Sequence, residues 1–329
     1  VISYISEHYR VERHVIRNRR AHLRHAGPER GILEIPYQAA GRKQNFGEEE
    51  TIEDVMEWIR WEVHQHNRAQ YLPILQALFS SPWALQEVLV KYPNVSNRIT
   101  RSVELWTYAA DEELVQVNHI LDYQPDTIRG RFLRVIDYLE QETDFKTHSQ
   151  FKVVFFSGFA PTAKKFLDVA RRRWGLDACA GYFHGMSPED LEKNADRFQS
   201  EPACRVLVCD ELGGEGRNFQ MASMVVHLDT PWTPNVLEQR IGRIDRLGRD
   251  PNLPVLSLVP YVENTLEMRL VHLWRDALSI YSRSLSGLEI VSEHIKSAIE
   301  NAIAENLESG LNEVFDTLAQ DLETMRRTV

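Results

Sequence analysis

Between residues 127 and 261, short apolar runs alternate with stretches in which apolar side chains return every third or fourth position. The runs at 153–156, 180–183, 205–209, 224–228 and 255–259 have the length and makeup of strands. They are apolar throughout rather than alternating, as strands buried on both faces are. Helical periodicity fills the gaps. It runs through 132–139, and again from Pro161, where Ala163, Phe166, Leu167, Ala170 and Trp174 share one face and Gly175 supplies the stop. Ser187-Pro188-Glu189-Asp190 has the order of a helix start, a hydroxyl cap followed by proline and acid, with Leu191, Ala195 and Phe198 on the apolar side. A further helix opens at Thr233-Pro234. This pattern predicts an α/β fold in which a parallel sheet carries helices on both faces.

The flanks read differently. From Glu48 to about Leu121 the period is helical, with Thr51 and Asp54 spaced like a helix-start box and Val55, Trp58, Ile59, Leu72, Leu75, Leu78 and Phe79 recurring behind them. Beyond Asn264 it is helical again, through Leu266, Leu270, Leu273 and Trp274, and the tail after Glu293 is acidic and weakly apolar. The aromatics Trp58, Trp61, Trp83, Trp106 and Trp274 are expected to fill the cores of these helical layers. The organisation expected is a basic segment at 1–30, a helical insertion or subdomain at 31–126, the α/β lobe at 127–262 and a helical extension at 263–329.

A chain of 329 residues with 43% hydrophobic and 26% charged content is a soluble globular protein of about two domains, which excludes collagen-like and disordered classes. No apolar run approaches the ~20 residues of a membrane span, and no signal sequence opens the chain, so a cytoplasmic protein is expected. It starts at Val1 rather than Met, which points to a piece of something longer. Cys179, Cys204 and Cys209 lie in apolar runs and are expected to be buried reduced thiols. They lack the paired spacing of a zinc site, and no metal ligand set is assigned. The net charge of −10 argues against a generally basic nucleic-acid coat. Distribution changes that picture: Arg10, Arg13, Arg17, Arg19, Arg20 and Arg24 crowd the N-terminus, and Arg240, Arg243, Arg246 and Arg249 form a second group. Local arginine stripes on an acidic body suit focused phosphate contact.

Three stretches carry candidate chemistry. Val206 to Glu211 has the outline of a magnesium-binding strand end, but that role needs a phosphate loop upstream and the chain holds no Gly-Lys dipeptide. The Asp210-Glu211 pair is therefore read as a strand end feeding a functional turn. That turn, Gly213-Gly214-Glu215-Gly216-Arg217-Asn218-Phe219-Gln220, permits close backbone approach to a ligand, although a tight strand-to-helix connection has the same composition. In Leu237 to Arg246, about 100° of rotation per residue puts Gln239, Arg243 and Arg246 on one stripe and Leu237, Ile241 and Ile244 on the other. A solvated basic helix face is the bland reading. Gly242 within the helix and two like charges three residues apart argue instead for a polyphosphate ligand.

Five motifs then stand in a recognisable order: Phe155-Phe156-Ser157, Phe183-His184-Gly185-Met186-Ser187, the glycine turn, Asp229-Thr230-Pro231-Trp232, and Gln239 to Arg246. Together they resemble the second RecA-like lobe of superfamily 2 helicases, in the SNF2 branch of double-stranded DNA translocases. Within that branch the chain looks most like the bacterial RNA-polymerase-associated SNF2 ATPases and their relatives, some of which serve in phage defence. Arg13 to Leu23 is similar to the segment that joins the first lobe to the second.

The resemblance implies a RecA-like parallel sheet and an enzyme that couples ATP hydrolysis to movement on DNA. ATP and Mg2+ would be bound mainly by a first lobe that this chain does not contain, so the chain alone is expected to be inactive. It implies arginine fingers at Arg243 and Arg246, with Gln239 heading the same motif, and nucleotide coupling through Gly214, Glu215 and Gly216. Ser157, His184, Gly185 and Asn218 would lie along the DNA path and touch the backbone without reading sequence. The implied partners are duplex DNA, the N-terminal RecA-like lobe, and RNA polymerase or a defence-system protein. Three positions depart from the family: Gly158 stands where Gln is common, Thr233 replaces an Asn, and Arg249 replaces a Gln. The alternative from another class is a non-catalytic interaction module that kept the RecA-like fold; it has no need of both arginines and the glycine turn.

Overall fold

The computed structural model describes residues 28–41, 43, 46–62, 71–92, 94–115, 117, 129–214, 218–246, 248–250, 252–284, 295–302, 314 and 317. The basic segment before residue 28 and most of the acidic tail lie outside the described residues. Six strands make one sheet: β1 (Arg30–Tyr37), β2 (Val153–Phe156), β3 (Cys179–Tyr182), β4 (Val206–Cys209), β5 (Met224–His227) and β6 (Val255–Val262). Their order is β1-β6-β5-β2-β4-β3, and every pairing is parallel. This is the parallel sheet that the apolar runs implied, with β1 added at its edge.

The uninterrupted apolar runs are explained by two cores. Val153, Phe155, Val206, Val208, Met224 and Val226 face α5 (Arg131–Glu142) and α6 (Ala160–Trp174). Their neighbours Val154, Phe156, Leu207, Cys209 and Val225 join the core of α7 (Pro188–Ser200), α8 (Pro234–Gly242) and α9 (Leu266–His272). The end signals act as read: Gly175 closes α6 at φ 98°, and the Ser187 hydroxyl accepts from the Asp190 amide to open α7. A bidentate pair between Arg131 and Glu267, at 2.7 and 2.6 Å, ties α9 back to α5.

Residues 31–126 do not begin as helix. Arg30–Tyr37 is an edge strand whose full length pairs with β6, and its mixed burial and Pro36 hide it from a periodicity reading. The helices that follow are α1 (Glu48–Glu62), α2 (Leu72–Leu78), α3 (Pro82–Leu89) and α4 (Asn97–Val115). Thr51 does not start α1. Gly47, at φ 79°, turns the chain before three glutamates, and the Thr51 hydroxyl donates back to the Gly47 carbonyl. Trp106 and Trp274 are buried as core residues, and Trp58 packs edge-on to Tyr71, whereas Trp61 is exposed. Trp83 stacks on Phe132, which meets Phe166, which meets Phe155, so an aromatic chain runs from the insertion into the sheet.

At the joint between α4 and α5, Glu113 accepts from the Gly130 amide at 2.7 Å. Burial pushes its carboxyl up to about 7, against the pull of that amide and of nearby arginines. A carboxylate protonated more readily when folded than unfolded costs stability above its folded value and costs none below its unfolded value. Glu113→Gln keeps the amide's acceptor and removes the charge. It should therefore melt higher than wild type at pH 8, with the gap closing as pH falls from 7 towards 4.5.

Candidate functional site

Parallel β5, β2 and β4 end side by side, and the sequence places a polar residue just past each. Asp229, after β5, collects most of them. Its carboxylate accepts from Ser80 Oγ at 2.8 Å, from the Gly158 amide at 2.9 Å, from Arg240 Nη2 at 3.1 Å and from Ser157 Oγ. Arg240 is 1% exposed and also donates to the Asp229 carbonyl at 2.9 Å and Glu211 at 2.9 Å. Burial pulls its pKa down, but Glu211 and Asp229 outweigh that and hold the guanidinium charged. Beneath it His227 is fully buried, and burial together with Arg240 keeps its ring well below the usual imidazole range, so it is neutral.

Of the DNA-path candidates, Ser157 is buried, its hydroxyl shared among Asp229, the Phe159 carbonyl and the Phe159 amide, and it fixes the turn after β2. The network also accounts for Gly158. A Cβ there would sit 3.2 Å from Glu211 Oε1 and 3.6 Å from Arg240 Nη2, so a larger residue would press on that ion pair.

The arginine stripe is corrected. α8 ends at Gly242, and Arg243 is its cap. The chain then tightens, with Ile244 N bonded to the Ile241 carbonyl and Arg246 N to the Ile244 carbonyl, so Gln239, Arg243 and Arg246 do not share a straight helix face. The apolar side is as expected: Leu237, Ile241 and Ile244 are fully buried. Gln239 is exposed, while Arg243 and Arg246 are half-buried on one turn, where Arg246 Nε donates to the Gly242 carbonyl at 3.2 Å.

The glycine turn opens as a tight helical turn, Glu211–Gly214. Gly214 belongs to it, whereas Glu215 and Gly216 lie outside the described residues. Where the turn resumes, the Phe219 amide donates to the Arg243 carbonyl at 2.9 Å. Asn218 is half-buried: its side chain accepts from the Gln220 amide and its carbonyl from Gln199. Arg249, buried beside it, donates to the carbonyls of Gln220, Ala222, Leu253 and Pro254. Arg249→Gln cannot reach four carbonyls. Leaving buried acceptors unpaired costs ~1–3 kcal/mol, which denaturant melts of the lobe should register.

His184 and Gly185 follow β3 and are exposed, Gly185 at φ 85° with open space around it. Asp210 holds this turn, accepting from the His184 amide at 2.8 Å and lying 3.1 Å from its Nδ1. Both carboxylates of the Asp210-Glu211 pair thus have internal tasks. Among the described residues no group of three His, Cys, Asp or Glu is gathered to hold a metal.

Residues 133–248 match the helicase conserved C-terminal domain. The RNA polymerase-associated protein RapA of Pectobacterium atrosepticum is 36% identical over 183 residues, covering 55% of this chain and 19% of the relative. RapA of Vibrio vulnificus is 34% identical over 166 residues, covering 50% and 16%. Residues 133–248 thus carry a helicase conserved C-terminal domain. Two solved structures share the lobe's fold. The C-terminal part of the Fun30 ATPase domain has a TM-score of 0.50 at 15% identity, over 84% of this chain and 99% of that one. The Sulfolobus solfataricus SWI2/SNF2 ATPase core in complex with dsDNA has a TM-score of 0.51 at 15% identity, over 85% and 49%. The chain thus spans under a fifth of the RapA relatives' length.

In this lobe the sequence brought forward several strand ends and the arginine turn as candidates. It missed Ser80, Asp229 and Arg240 as one cluster, and Arg30 as a partner of the arginine turn. Asp229 and Arg240 left a signal, as charged residues beside apolar runs; Ser80 gave none.

Proposed function

We propose that the chain is the C-terminal motor lobe of an ATP-dependent double-stranded DNA translocase of the SNF2 type. ATP and Mg2+ would be held mainly by a first RecA-like lobe, which supplies the phosphate loop; hydrolysis of the nucleotide supplies the free energy of movement. Arg243 and Arg246 would reach the γ-phosphate as arginine fingers, neutralising the charge that grows there. Their setting fits such a group: two half-buried arginines on one tight turn. Gln239 lies exposed on the helix that leads into that turn, as a further contact.

The observation that carries this reading is the bond from the Phe219 amide to the Arg243 carbonyl. It makes the end of the glycine turn and the finger turn one unit, so a shift at the nucleotide displaces Asn218 and its neighbours. Asn218, His184 and Gly185 are then the DNA-backbone contacts proposed, and Gly214, Glu215 and Gly216 the coupling segment. RNA polymerase is the partner proposed from the RapA relatives' name; a defence-system protein rests on the resemblance alone. Such a protein works in the cytoplasm.

Assay of the chain alone and of the full-length protein tests the reading. The chain alone should show no DNA-stimulated ATPase, and the full-length protein should show it. Its DNA affinity should tolerate any sequence and fall by about 10³-fold or more between about 50 and 200 mM salt, as phosphate-directed binding does. Turnover that purifies with the chain alone, or a flat salt response, would overturn it.

A further inference from the structure

The finger turn is held from an unexpected direction. Arg30, the first residue of β1, is almost fully buried, and its fork is completely engaged. Nε donates to Asp245 Oδ2 at 2.7 Å, and Nη1 and Nη2 donate to Glu238 Oε2 and Oε1 at 2.8 Å each. Nη1 also reaches the Ile280 carbonyl at 3.2 Å, and Ser284 Oγ donates to Glu238 at 2.8 Å. Asp245 lies between Arg243 and Arg246, and its own side chain is fully buried. Glu238 adjoins Gln239. Arg30 therefore grips both ends of the motif, across more than 200 residues of sequence.

Its place in the chain adds the second half of the argument. Residues 1–30 are the segment read as joining the two lobes, and Arg30 is where it enters the sheet, with Val255 N bonded to the Glu29 carbonyl at 2.7 Å. Arg30 is the first residue of the sheet after that segment. A planar, bidentate fork transmits position where a lysine's single point charge would not.

We propose that Arg30 is a positioning residue for the arginine fingers, setting the register of Arg243 and Arg246 from the point at which the inter-lobe segment joins the lobe. This rests on the finger reading above. Arg30 touches no nucleotide; it acts through Asp245 and Glu238.

The test uses full-length protein and measures DNA-stimulated kcat, KM for ATP and thermal melting. Arg30→Ala should lower kcat by about 10-fold or more with KM nearly unchanged, and Arg30→Lys should restore only part of it. Because Arg30→Ala strands buried Asp245, its melting will also fall. The triple variant Arg30→Met/Glu238→Gln/Asp245→Asn removes all three charges and should recover the melting temperature but not kcat. Recovery of kcat along with stability would show a merely structural role and overturn the proposal. So would wild-type kcat in Arg30→Ala while Arg243→Ala is inactive. If Arg243→Ala is itself fully active, the finger reading fails, and this proposal with it.

Discussion

Arg243→Ala or Arg246→Ala in the full-length protein will reduce ATP hydrolysis by about 10³-fold or more, the effect typical of removing an arginine finger. Nucleotide affinity will stay within a few-fold of wild type, because the fingers act on charge that develops only as the phosphate transfers. Arg→Lys at either position will not rescue, since a point charge cannot reproduce the planar fork. Hydrolysis and equilibrium binding of a non-hydrolysable analogue, measured side by side, check this. Parallel loss of both would assign the arginines to ground-state binding instead.

The largest stability effect belongs to Asp229. Asp229→Ala leaves Arg240 buried with Glu211 alone and takes the acceptor from Ser80, Ser157 and the Gly158 amide. Breaking a buried ion pair by removing one partner costs ~3–5 kcal/mol, a large share of the ~5–15 kcal/mol that stabilises a domain. The lobe should melt far lower, with an intact far-ultraviolet spectrum at low temperature. Asp229→Asn, which keeps the shape and one acceptor, should lose less. Equal stability of Asp229→Ala and wild type would remove the carboxylate from the centre of the site.

What could be read from the chain and what could not divide along sequence distance. The strands between 153 and 262 and the caps at Ser187 and Gly175 are local signals, and they appear where the periodicity puts them. α8 was legible at its start, where Thr233-Pro234 is a local device, and overran at its end, because a 3.6-residue period carries no information about where a turn tightens after Gly242. The internal bond of Ser157 was not legible, because its partner Asp229 lies 72 residues away and only the fold brings them together. Ser80 and Arg30 belong to the same class. Their partners lie 149 and more than 200 residues off, and nothing in their own neighbourhoods marks them.

Ser80 and Trp83 change how the helical insertion can be dissected. One sends a hydroxyl to the strand-end carboxylate, and the other begins the aromatic chain that ends on β2. Excising residues 48–115 would expose Phe132 and withdraw a donor from Asp229, so stability of the matched region 133–248 draws on side chains that lie outside it.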